Sequence, residues 1–118
     1  MPKLPKLPKL PKPPEAFSAF LERYPKLGDA WERTTEAGRV GPIPERAQRV
    51  VKLAIAIGAL REGAVRSGVR KAIAAGVPRA AIDQVVALAA GTLGFPATVA
   101  VFTWVREAAD GARRVRRR

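Results

Sequence analysis

Few residues in this 118-residue chain can do chemistry. Cysteine and histidine are both absent, which excludes disulfides, thiolate nucleophiles, thiolate metal sites and the usual general base. In the middle of the chain stand Arg61 and Arg66, whose planar guanidinium groups can hold a carboxylate through two parallel hydrogen bonds. Glu45 and Glu62 are the nearby carboxylates. No clustered acidic motif offers a cation a set of oxygen ligands, so no metal and no cofactor is expected. A second kind of chemistry lies at the ends. Lys3, Lys6, Lys9 and Lys12 place +4 in the first fourteen residues, and Arg113, Arg114, Arg116, Arg117 and Arg118 place +5 in the last six. Glu15 to Ala112 holds 13 basic and 10 acidic residues, so the formal net charge of +12 belongs mainly to the tails. Clustered arginines bind phosphate backbones with strong salt dependence. No aromatic platform accompanies them, and both tryptophans fall at positions expected to be buried, so base stacking is not expected.

The elements that must position these groups read as helices. Residues 1 to 14, MPKLPKLPKLPKPP, repeat Pro-Lys-Leu with period three, which disfavours helix and central strand and suits polyproline II, with Pro, Lys and Leu on three ridges. Glu15 to Tyr24 reads as a first helix with Phe17, Phe20, Leu21 and Tyr24 on a buried face, ended by Pro25. Asp29 to Ala37 reads as a second, with Ala30, Trp31, Thr34 and Ala37 inward and Gly38 as its cap. Pro44 and Glu45 suit a helix start, and the third helix turns Ala47, Val50, Val51, Ala54, Ile57 and Gly58 to one face. From Leu53 to Leu60 it carries no charge. A helix apolar all round must be surrounded, which a domain of about 100 residues does poorly alone, so a homo-oligomer is expected. The chain breaks at residues 60–63 and resumes as a fourth helix, Glu62 to Ala75, rich in Gly and Ala and capped by Gly76. Pro78 starts a fifth, with Ile82, Val85, Val86, Ala89 and Leu93 inward, and Gly94-Phe95-Pro96 turns into the last. Nothing alternates as a strand would, so the chain is expected to be all-α.

The order of these parts resembles the carboxymuconolactone decarboxylase and alkylhydroperoxidase D superfamily. The resemblance rests on Tyr24-Pro25, the Pro-Glu-Arg helix start, the break at 60–63, Arg70-Lys71-Ala72-Ile73-Ala74-Ala75-Gly76, and Gly94-Phe95-Pro96-Ala97. It covers roughly residues 20 to 108 and implies a bundle of about six helices assembled as a trimer or hexamer. In thiol members the break carries Cys-x-x-Cys, with a His four residues on and a Glu twelve before the first Cys. Those positions are here Leu60, Gly63, Ser67 and Gln48. None keeps its chemistry, so thiol peroxidase activity is chemically excluded. The decarboxylase branch does not depend on the cysteine pair. Gln48 and Ser67 can hydrogen-bond a ligand, but neither is a base near neutral pH.

The sequence therefore divides into a low-complexity tail (1–14), a helical domain (15–112) and an arginine-rich tail (113–118). Two functions follow as expectations. One is a divergent family member that binds or turns over a small molecule between the third and fourth helices, near Gln48, Leu60, Gly63 and Ser67, with Arg61 and Arg66 as further ligand-binding residues. The other is a non-enzymatic oligomeric scaffold that binds a polyanion such as nucleic acid through its basic tails. The first lysine is followed by no apolar core, so no secretory signal is read and a cytoplasmic location is expected. The uncharged run Val85 to Val105 is long enough to span a membrane, but Gly94-Phe95-Pro96 interrupts it, and two buried helices account for it better. Asparagine is absent and Ala, Arg and Pro are plentiful, a bias that a thermophilic source or a GC-rich genome would give.

Overall fold

The computed structural model describes residues 15–117, with side chains as far as Ala112. The Pro-Lys-Leu repeat, its expected ridges, and the side chains of Arg113, Arg114, Arg116, Arg117 and Arg118 lie outside the described residues. Six helices follow one another: α1 (Glu15–Arg23), α2 (Pro25–Arg39), α3 (Glu45–Gly58), α4 (Glu62–Ala74), α5 (Arg79–Leu93) and α6 (Phe95–Arg117). Among the described residues there is no strand, and no helix is long and apolar enough to cross a membrane.

Proline and glycine set the boundaries. Pro44 and Pro78 are the N-caps of α3 and α5, with φ −65° and −69° and extended ψ. The ring fixes φ, and its missing N–H would have no intrahelical acceptor at that place anyway. At the other end of α4, Gly76 takes φ +90°. The N–H of Val77 then reaches back to the carbonyl of Ala72 at 2.9 Å, which satisfies an orphan acceptor of the last turn. Two expected boundaries move. Pro25 does not merely stop α1 but opens α2, with Tyr24 as N-cap, so α2 begins a turn earlier than Asp29. Gly38 stays helical, and α2 ends at Arg39 with Val40 extended behind it.

The core lies inside a ring of four helices. α3 packs on α4 and α5, and α6 packs on the same two helices from the other side. Leu53 and Ile57 of α3, Val65 and Val69 of α4, Ile82 of α5, and Val101 and Val105 of α6 are its largest fully buried side chains. The inward face of α5 is the expected one. That of α3 is turned: Ile57 is buried as expected, but Leu53 and Ala56 are buried with it, whereas Val51, Ala54 and Gly58 are exposed. α1 and α2 touch mainly each other and bury no residue. Phe20, Tyr24 and Trp31, expected to face inward, are 37–47% exposed, and Leu27 beside them is 51% exposed. Trp104 is half-buried.

One backbone position is strained. Leu60, between α3 and α4, has φ +53° and is the only non-glycine residue with positive φ among those described. An L side chain there costs roughly 1–2 kcal/mol, and branching at Cβ worsens it. Leu60→Gly is therefore expected to unfold at a higher urea concentration than Leu60→Val, by about 1 kcal/mol or more in unfolding free energy.

Candidate ligand site at the break between α3 and α4

α3 closes through Ala59, whose N–H donates to the carbonyl of Ile55, and the chain reverses within three residues. Leu60 and Arg61 donate their N–H groups to the carbonyls of Ile57 (2.9 Å) and Ala56 (3.1 Å). α4 then starts at Glu62 behind Arg61, an N-cap whose side chain makes no capping hydrogen bond. The first N–H groups of α4 therefore lack a side-chain acceptor from their cap. Gly63 and Ser67 stand one turn apart on α4, both half-buried.

Two contacts fix how α3 and α4 lie together. A Cβ on Gly68 would sit 3.6 Å from the Cα of Leu53. Two turns nearer the start of α3, Arg46 donates from Nη2 to the carbonyl of Gly76. The helices are thus antiparallel, with positions summing to about 121 opposite one another. In this register Ser67 lies beside residue 54 and Gln48 beside residue 73, roughly 9 Å apart along the pair at about 1.5 Å per residue.

The residues singled out in the sequence consequently separate into two groups. Leu60, Arg61 and Gly63 lie at the break itself, and Ser67 follows Gly63 one turn along α4. Gln48 does not join them: its amide Nε2 donates to the carbonyls of Ile43 (2.7 Å) and Arg39 (3.4 Å), which closes the loop between α2 and α3. Arg66 is also engaged. Its Nε donates to Oε2 of Glu62 at 3.0 Å and its Nη2 to Oε1 of Glu107 at 2.8 Å. Partial burial works to lower the pKa of its guanidinium, but the hydrogen bonds to Glu107 and Glu62 and their charges outweigh that and raise it. Arg66 therefore ties the start of α4 to α6. Glu107 had no signal in the sequence, because its partner is 41 residues away. Arg61 is exposed and Ser67 half-buried, and among the described residues neither finds a side-chain hydrogen bond or ion pair. Glu45 sits in the first turn of α3, at the end of that helix remote from the break.

A four-helix ring with a sharp break between its first two members, preceded by a loosely attached helical pair, is the frame on which these residues sit. Residues 25–107 match the carboxymuconolactone decarboxylase family, and the chain belongs to that family. No curated protein and no solved structure matches it.

Proposed function

We propose that this chain is a family member without thiol chemistry that binds a small carboxylate-bearing molecule at the break between α3 and α4. The observation that carries the reading is the group of unsatisfied donors there. Arg61 and the uncapped N–H groups of α4 lie at the break, next to the half-buried Gly63, and Ser67 follows one turn along α4. Arg61 would clamp the carboxylate, the positive end of the α4 dipole would favour its charge, and Ser67 would donate to a further oxygen. Leu60 would present the apolar edge. Gln48 and Arg66 would act at one remove, Gln48 by holding the loop and Arg66 by fixing α4 on α6. Glu62, the nearest carboxylate, is already bonded to Arg66, which leaves binding better supported than turnover.

Succinate added to uniformly 15N-labelled protein tests this. The amide signals of residues 61–68 are expected to shift on saturation. Arg61→Ala should weaken binding about 10-fold or more, as loss of a charged hydrogen bond does, with a smaller loss in Ser67→Ala. Shifts elsewhere only, or unchanged affinity in both variants, would sink the reading.

A second reading has its own observation in favour. Large apolar side chains are exposed on α3, α5 and α6 as well as on α1 and α2, which suits a homo-oligomer, trimeric or hexameric. An assembly would repeat the basic tails several times, so that a weak contact with a polyanion such as nucleic acid gains avidity. Binding through the tails would fall steeply with salt, whereas succinate bound at the break would respond much less.

A further inference from the structure

We propose that Arg49, Lys52 and Lys71, with Arg70 at their edge, form a binding site for a diphosphate group on the outer side of the α3–α4 pair. This site is separate from the break and independent of the carboxylate reading above.

The placement follows from the register. With Leu53 against Gly68 and Arg46 on the carbonyl of Gly76, residues 49 and 52 lie alongside residues 69–72. On α3, Arg49 and Lys52 are three apart and so share a side. They flank Lys71 from across the helix pair, and Arg70 precedes it on α4. Four cations therefore stand on one stretch of two packed helices.

Among the described residues, no carboxylate answers them. In the ring, Glu62 and Glu107 hold Arg66, and Asp83 and Asp110 lie on Arg79. The remaining acidic residue of α3–α6, Glu45, makes no ion pair with any described residue even though Arg49 is one turn on. Within the same set, none of the four cations has a salt bridge or a side-chain hydrogen bond. The Nε of Arg70 is buried and has no acceptor among the described residues, so only the outer end of its guanidinium is left to meet an anion at the surface. The side chains of the cluster also feel one another. Burial lowers the pKa of the Lys71 ammonium, and the charges of Lys52, Arg49 and Arg70 lower it further. Burial and Arg66 lower that of Arg70.

The chemistry of the missing partner follows from this surplus. A single carboxylate brings one negative charge and two acceptor oxygens, too few for four cations. A diphosphate brings about three charges at neutral pH and six terminal oxygens, which suit two compact ammonium groups and two planar guanidinium forks. Residues 49 to 52 span roughly 4.5 Å along α3, the footprint of one or two phosphoryl groups. A longer polyanion would need a track of cations beyond it. The same diphosphate chemistry occurs free and as part of a nucleotide, and the two sources can be told apart.

Titration calorimetry of the full chain with inorganic pyrophosphate and, separately, with ADP is the test. Saturable binding of pyrophosphate is expected. Lys52→Gln/Lys71→Gln should weaken it at least 10-fold, while Lys26→Gln/Arg33→Gln, which removes the same charge from α2, should change it less than 3-fold. ADP binding tighter than pyrophosphate would assign the site to a nucleotide, and equal or weaker binding would assign it to the free anion. Equal losses in the two double variants would mean diffuse charge attraction and overturn the site, as would absence of binding. Folding does not confound the comparison, because removing mutually repelling cations should leave the melting temperature unchanged or raise it. Added pyrophosphate should then raise the melting temperature of the wild-type chain and not that of Lys52→Gln/Lys71→Gln.

Discussion

The wild-type chain at micromolar concentration is expected to appear in native mass spectrometry as a defined homo-oligomer, and Ile55→Glu/Leu88→Glu as a monomer. Ile55 is 65% exposed and Leu88 71%, with Phe95 and Val99 higher than 60%. These side chains are arranged as stripes rather than scattered. Val51 and Ile55 are one turn apart on α3, and Phe95, Val99 and Phe102 follow i, i+4, i+7 on α6. Isolated surface apolar residues need no explanation, but contiguous stripes on several helices mark an interaction surface. A carboxylate placed in such a contact must be desolvated without a partner, at a cost of several kcal/mol per site. Symmetry repeats that cost in every subunit. The monomer itself should survive, since neither position belongs to the core. A wild-type chain that is monomeric at this concentration would contradict the oligomer outright.

Leu53→Ala should cost the fold about 3 kcal/mol, within the usual range of roughly 2–5 kcal/mol for such truncations, and the loss should be partly recovered by enlarging its neighbour. Leu53 is completely buried and lies against Gly68, where an added Cβ would meet Cδ1 of Leu53 at 3.3 Å. Truncation removes the transfer free energy of the side chain and leaves a cavity that the rigid α3–α4 contact cannot close. Gly68→Leu alone should also destabilise, by about 1–3 kcal/mol, because the new side chain must displace Leu53. Together the two substitutions should be less harmful than their sum, since the side chain introduced at position 68 could occupy the space that Leu53 leaves. Urea unfolding of the four proteins measures the coupling. Strict additivity would show that the two positions do not share the contact described above.

The parts of the fold legible in the sequence are those governed by local chemistry. Pro44, Pro78 and Gly76 mark helix ends through restrictions of their own backbone, whatever surrounds them. α5 showed its face because Arg79 and Asp83 mark the outside. α3 did not: between Leu53 and Leu60 no charge distinguishes one side from another, and beside the expected Ile57 the buried residues are Leu53 and Ala56 rather than Val51, Ala54 and Gly58. Phe20, Tyr24 and Trp31 have the helical spacing at which aromatic residues usually mark a core. In the chain by itself they lie on the unpacked pair α1–α2. The break was visible from Leu60 to Gly63, and with it the neighbourhood of Arg61 and Ser67. The engagement of Arg66 with Glu107 and of Gln48 with two loop carbonyls was not, since those acceptors depend on how distant segments meet. The cluster of Arg49, Lys52 and Lys71 was hidden for the same reason. Each charge looks like an ordinary solvated residue until the antiparallel register sets α3 beside α4.

The attachment of α1–α2 has a consequence for where the molecule opens. Amide hydrogens exchange with solvent through the cheapest opening that frees them, and that cost tracks local burial. The four-helix ring can release its central amides only by unfolding. α1 and α2 bury no residue of their own, so in a lone chain their amides should exchange many orders of magnitude faster than those around Val65 and Val69. Slow exchange along Phe20 to Trp31 would therefore measure the hold of a neighbouring subunit on that pair of helices, and its loss on dilution would report the dissociation of the assembly.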